Sequence, residues 1–410
     1  MQYDLIIMGA TGFTGKLVIE YLIKNYGVKN DNFTWAIAGR DIDKLTNLKK
    51  ALKSISPRSM EIDVLTADSH DKASLDNLTA KCKVIVSAVG PYLNYGHLLI
   101  KSCAQNGTHY CDLTGEVPFI KESIEQVSAI AKENNCKIIH SCGFDSIPSD
   151  IGVLLLQNEA MKQFGSPLNE IKLYVRAMRG GISGGTIESM INIYEYIKDK
   201  PDLQKALKDP YSLTPNSNNT NIQHTPSLKG VQWDQNTMRW LCPFAMSGIN
   251  TKIVRASNGL MNNYYGKNFQ YSEVVSFSRG LGGFTKALGM TLNLAFARLA
   301  IEFNPLIYIL RKLFLPAPGQ GPTREDRENG FFKMHLTGSS DNNKKLNLIV
   351  RGDSDAGYSG TAKMITESAL SLLLEKKHIP NSSGVLTPAS GIGEIIVKRL
   401  KDKGITFKLQ

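Results

Sequence analysis

Cysteine is scarce in this 410-residue chain. The six residues (Cys82, Cys103, Cys111, Cys136, Cys142 and Cys242) form no C-x-x-C pair and show no metal-ligand spacing. No disulfide framework is therefore expected, and no metal. Several of the six sit in apolar runs, where a free thiol behaves as a small hydrophobe, which fits a cytoplasmic compartment. Long runs of one charge are missing too: the net charge is +11, yet the cations are spread out in nothing longer than pairs such as Lys49-Lys50. Such an excess draws anionic ligands or membranes, but without a basic and aromatic stripe no nucleic-acid partner is expected. No G-x-S-x-G or Cys/His arrangement suggests a hydrolase. Residues Met1 to Met8 read directly as a strand, without the basic start and apolar core of a secretory leader. The most apolar stretch, Phe284 to Leu315, is interrupted by Asn293, Arg298, Glu302 and Asn304, and Pro305 would break or kink a helix. That excludes a simple membrane span. It leaves buried helices, or an apolar surface that admits a lipid or rests on a membrane.

What the sequence does contain is an ordered alternation. Tyr3 to Met8 is a short apolar run of the kind buried on both faces of a sheet. It ends in Gly9, Ala10, Thr11, Gly12, Phe13, Thr14 and Gly15, after which Lys16 to Leu22 has helical spacing. Strand, glycines and helix in that order let the backbone curl against a pyrophosphate at the positive helix end. A second strand, Thr34 to Ala38, runs into Gly39-Arg40-Asp41. An acidic residue at this strand end would bind the ribose 2′-hydroxyl of NAD, whereas Arg40 suits the 2′-phosphate of NADP(H). Asp41 is expected to cap the next helix. Further strands follow at Met60 to Thr66 (ending at Asp68), Lys83 to Val89 (ending at Gly90-Pro91-Tyr92), Thr108 to Leu113 and Lys137 to Ser141, with helical stretches between. This predicts an α/β, doubly wound parallel sheet of Rossmann type, with its chemistry in the loops beyond the strand ends.

These loops resemble one family, the saccharopine dehydrogenase-like oxidoreductases, and within it the trans-acting enoyl reductases. The resemblance rests on Gly9 to Gly15, Ala38-Gly39-Arg40, Val89 to Tyr92 with Tyr95-Gly96, Gly107 to Tyr110, Asp112 to Glu116, Ser141 to Asp150, Ser183 to Thr186, Pro316 to Pro322 and Leu386 to Ala389. It implies a Rossmann NADP-binding domain (1–150), an inserted mixed α/β substrate domain (151–355), and a C-terminal segment (356–410) returning to the first domain. It also implies NADPH-dependent reduction. In the enoyl reductase branch the substrate is an unsaturated acyl chain carried by a lipid-synthesis partner; in true saccharopine reductases it is an amino-acid imine.

In the second half, Ser149 to Phe164, Gly185 to Lys198, Gly360 to Lys376 and Ile392 to Leu400 read as helices. Glu170 to Met178 and Val274 to Phe277 read as strands, Phe331 to Leu336 with Leu346 to Val350 as a hairpin, and Asp209 to Lys229 as a mobile loop. Cofactor contacts are expected from Gly9, Thr11, Gly12, Phe13, Thr14, Gly15, Arg40, Asp68, Val89, Gly90 and Pro91. Tyr92, Asp145 and Ser146 are the catalytic candidates, because they follow strands beside the expected hydride path. Each has a competing reading: Tyr92 as a packed or nucleotide-contacting ring, Asp145 and Ser146 as helix caps before Pro148. Asp112, Thr114 and Glu116 share the rim but suit a turn equally well, and Ser183 to Thr186 suits an anion. His97 and His109 are expected to be structural. Two rival functions stay open. One is a saccharopine-type imine reductase, with Arg176 and Arg179 on substrate carboxylates; the other is a non-catalytic nucleotide-binding protein at a lipid surface. Contact with a membrane periphery and a homodimer are further expectations.

Overall fold

The computed structural model describes residues 1–180, 184–215, 225–302 and 321–410. Two seven-stranded sheets organise them. The first is built from β1 (Tyr3–Met8), β2 (Trp35–Gly39), β3 (Asp63–Thr66), β4 (Cys82–Ser87), β5 (His109–Asp112), β6 (Lys137–Ile139) and β13 (Gly384–Leu386). Its order is β13-β6-β5-β4-β1-β2-β3 and every pairing is parallel, with Ile6 opposite both Ala36 and Ile85. The order reverses between β1 and β4, which is where a doubly wound sheet opens its ligand crevice. Leu5, Ile6 and Ile7 are wholly buried because helices cover both faces. The Lys72–Thr79, His97–Asn106 and Val117–Glu133 helices lie on one side. The Phe13–Tyr26, Ile42–Ala51 and Thr361–Leu374 helices lie on the other. The parallel sheet is the one the sequence predicts, though β3 starts later than expected. Pro57 begins a 3-10 turn through Glu61, and the extended run opens only at Asp63.

The second sheet is mixed. It contains β7 (Glu170–Arg179), β8 (Gln232–Asp234), β9 (Arg239–Pro243), β10 (Gln270–Phe277), β11 (Phe331–Ser339), β12 (Lys345–Gly352) and β14 (Ile405–Leu409), in the order β14-β12-β11-β7-β10-β9-β8. β11 and β12 form the expected hairpin, turning through Asn343 with φ 57°. The Ile147–Phe164 helix packs on this sheet. One continuous apolar core runs from Leu5 and Ile7 under the first sheet to Leu173, Leu336 and Leu348 of the second. All six cysteines are buried free thiols. Among the described residues no helix is long and apolar enough to cross a membrane. Phe284 to Leu315 is described only to Glu302, and Pro316 to Gln320, Gly181 to Ser183 and 216–224 also lie outside the described residues.

Candidate nucleotide and proton-transfer site

β1 delivers the chain into the glycine turn. Gly9 has φ 85°, a conformation glycine adopts without steric cost. A Cβ at Gly15 would lie 2.2 Å from the Gly9 carbonyl oxygen, so this residue seats the helix directly on the turn. Gly12 differs: a Cβ there would meet only the Gly9 oxygen at 3.3 Å and the Ala88 oxygen at 4.0 Å, and is otherwise open. The helix beginning at Phe13 has no side-chain cap and no acidic residue in its first turn. Its leading N–H groups and positive dipole end therefore stay available to an anion. Val89 borders the turn from the β4 side, 2.8 Å from where a Gly9 Cβ would sit, and Gly90-Pro91 follow it. A dinucleotide phosphate fits this cradle: bare backbone donors, glycine where a side chain would intrude, and no competing carboxylate.

Phe13 turns its ring the other way. The ring meets Tyr358 edge-on at 4.8 Å with the Arg327 guanidinium 5.4 Å from its centre, so only its backbone N–H can serve the cradle. Asp41 caps the Ile42–Ala51 helix, as expected, accepting from the Lys44 N–H at 2.9 Å. That commitment leaves the exposed Arg40, with no partner among the described residues, as the available charge at the end of β2. Asp68 accepts from the His70 N–H at 2.9 Å through Oδ1.

The structure separates the rim acids by occupation. The Glu116 carboxylate is buried and accepts from the N–H groups of Tyr92 (3.0 Å) and Leu93 (2.8 Å) and from Ser189 Oγ (2.9 Å). It thus serves as the cap of the Tyr92–Tyr95 turn, although burial raises its pKa. Asp112 holds His140 Nδ1 at 2.7 Å, and His140 Nε2 lies 2.8 Å from Ser123 Oγ. The connectivity is that of a hydrolase triad, but all three residues are buried and no substrate reaches the serine. Tyr92 is buried as well. Its hydroxyl donates to the Ser87 carbonyl at 3.0 Å and accepts from the Leu113 N–H at 3.2 Å, and burial pushes its pKa far up. His109 Nδ1 accepts from the Lys137 N–H, and burial lowers its pKa to about 4.

Asp145 stands apart. It is half-buried beyond the end of β6 and accepts no hydrogen bond among the described residues. One carboxyl oxygen lies 3.8 Å from the Cβ position of Gly115, which itself adjoins Ile249. Burial pushes its pKa up to about 6. Ser146 is buried, and its hydroxyl lies 3.3 Å from Asn250 Oδ1 instead of capping the helix it precedes. Asn250 donates to Glu273 Oε2 at 3.0 Å, and Tyr271 donates to Glu273 Oε1 at 2.7 Å. Asp150, raised to about 7 by burial, accepts from Ser257 Oγ at 2.5 Å and from the Ala389 N–H at 2.8 Å. These bonds tie the loop carrying Asp145 to the second sheet and to the Leu386 to Ala389 motif. Arg176, a carboxylate-holding candidate in the imine-reductase reading, lies 5.1 Å from the Tyr174 ring centre and 3.3 Å from His335 Nδ1, and Arg179, the other, is exposed.

A family model described as the saccharopine dehydrogenase NADP binding domain matches residues 5–139. A Mycobacterium tuberculosis protein provisionally named a trans-acting enoyl reductase is 33% identical over 422 residues, covering 99% of this chain and 97% of that one. The trans-acting enoyl reductase of Mycobacterium ulcerans is 31% identical over 419 residues, covering 98% and 97%. The chain belongs to the trans-acting enoyl reductase family. This enoyl reductase-family protein is an NADP-dependent oxidoreductase. Its fold is also that of apo saccharopine dehydrogenase (L-Glu forming) from Saccharomyces cerevisiae, with TM-score 0.52 and 13% identity over 100% of this chain and 99% of that one. Sequence reading of this family member missed Asn250 and Glu273. Both enter from distant elements, the Ser247–Leu260 helix and β10, and no local sequence signal marks them.

Proposed function

We propose that the protein reduces the carbon–carbon double bond of an unsaturated acyl substrate, with Asp145 supplying the proton. The observation that supports this is the unpartnered Asp145 carboxyl, held up to about 6 beside Gly115 and beyond the end of β6. A general acid works best when its pKa lies near the working pH. When bound, NADPH supplies a hydride to one carbon of the double bond; Asp145 gives its proton to the other. Gly9, Thr11, Gly12, Thr14, Gly15 and the Phe13 backbone would hold the pyrophosphate, with Val89, Gly90 and Pro91 flanking the nicotinamide half and Asp68 the adenine half. We assign Tyr92 and Ser146 to fixing the strand-end loops, because their hydroxyls are already engaged. Residues 1–150 would carry the nucleotide and 151–355 the substrate, with 356–410 returning to the first sheet at β13 before ending in the second at β14. The relatives' name is the basis for an acyl chain, presented by a carrier.

Arg40 would pair with the 2′-phosphate. Losing a charge-assisted contact costs about 1.5–3 kcal/mol, so Arg40→Ala should weaken NADPH roughly tenfold or more and leave NADH unchanged. Fluorescence titration of both cofactors checks this, and equal binding of both by the wild type would refute it.

The substrate class is tested by NADPH oxidation with enoyl thioesters of increasing length, beside a dicarboxylate imine. Each buried CH₂ contributes about 0.8 kcal/mol, so affinity should climb roughly fourfold per methylene until the pocket fills. Turnover of the imine with no response to any enoyl chain would overturn the acyl assignment.

A further inference from the structure

The Leu281–Glu302 helix is apolar on two opposite sides. Inward, it packs on β9 and β10, burying Ala287 and setting Phe284 edge-on to Trp240 at 5.0 Å. Outward, it exposes Leu281 (78%), Leu288 (39%), Leu292 (60%), Phe296 (53%) and Leu299 (54%). At 100° per residue these five fall within an arc of about 80°, along about 27 Å of helix. Thr285 is the one exposed polar residue in this arc; a surface helix of a soluble domain normally turns mainly polar residues to that side, and a largely apolar stripe marks an interaction face. Arg279 and Lys286 beside it are exposed, and no Asp or Glu occurs between Val274 and Ile301.

We propose that this helix docks the protein on an anionic lipid surface, lying in the plane of the interface. The stripe would enter the acyl boundary while the cations meet headgroup phosphates, which is the physical pattern of an interfacial helix. The alternative occupant, a second copy pairing through the same face, would bring Arg279 and Lys286 of both copies to one interface, with no acidic residue between Val274 and Ile301 to neutralise them. The helix also abuts the Gly184–Ile197 helix, whose Ser189 holds Glu116 at the rim of the nucleotide crevice. Docking would therefore set the lipid layer close to that rim.

Co-sedimentation of the NADPH-loaded protein with vesicles tests this. Two compositions are needed, phosphatidylcholine alone and phosphatidylcholine with phosphatidylglycerol. The wild type should bind the phosphatidylglycerol vesicles in preference. Leu292→Ser/Phe296→Ser should lower that binding at least tenfold, since two large apolar side chains no longer enter the layer. Arg279→Glu/Lys286→Glu should abolish the preference for phosphatidylglycerol. Circular dichroism and NADPH affinity should match the wild type in both variants, showing that the fold is retained. Absence of wild-type binding to phosphatidylglycerol vesicles, or undiminished binding by the serine variant, would overturn the proposal. So would light scattering that shows a wild-type dimer split by the serine variant without vesicle binding. None of these readouts uses turnover, so the acyl-substrate reading stands or falls separately.

Discussion

Replacing Gly12 with valine is expected to remove NADPH binding while the protein stays folded. The turn explains why these effects separate. A Cβ at Gly12 would meet the Gly9 oxygen at 3.3 Å and the Ala88 oxygen at 4.0 Å and is otherwise open, beside the uncapped helix end. It would lift the pyrophosphate from its backbone donors. Losing two charge-assisted hydrogen bonds of about 1.5–3 kcal/mol each lowers affinity on the order of a hundredfold or more. Gly15→Ala is the contrast: its Cβ would lie 2.2 Å from the Gly9 carbonyl, so the helix must move and the melting temperature should fall. Calorimetric titration with thermal unfolding of both variants distinguishes binding from packing. Normal NADPH affinity in Gly12→Val would remove the cradle from the account.

The second large effect is expected at Asp145. Asp145→Asn removes the proton but keeps the shape, and loss of general acid catalysis typically costs 10²–10⁴-fold in rate. The pH dependence has a definite sign. The active form is the protonated carboxyl, and burial raises its pKa to about 6. Wild-type kcat/KM should therefore fall as the pH rises through about 6, and the asparagine variant should show no such limb. NADPH affinity should be unchanged in the variant, which separates a proton donor from a residue that merely shapes the cofactor site. A variant with wild-type rate and an unaltered profile would sink the assignment.

The glycine turn between β1 and its helix, and the place of Arg40 at the end of β2, were legible because they are local: all lie within the first forty or so residues. The same locality made the β11–β12 hairpin readable. β13 was not, because its three residues gain a sheet only by pairing Gly384 with Lys137, far back in the chain. β14 is likewise defined by a distant partner, Leu409 pairing with Leu348, whereas β8 and β9 form a local hairpin of strands too short to show an alternation in the sequence. Tyr92 shows the limit at the site itself. Its position after β4 suggests a donor, but whether a hydroxyl is free depends on Ser87 and Leu113, which only folding brings to it. Asn250 and Glu273 were illegible for the same reason, since their role exists only through Ser146 and Tyr271.

The proposed reaction is hydride transfer from NADPH to an acyl double bond. The most direct measurement is mass spectrometry of the product formed from an enoyl thioester and NADPH carrying deuterium on its nicotinamide. The expected product is a saturated thioester with one deuterium on the carbon that received the hydride and one solvent-derived hydrogen on its neighbour. Recovery of the unsaturated thioester without deuterium, under conditions where NADPH is bound, would contradict it.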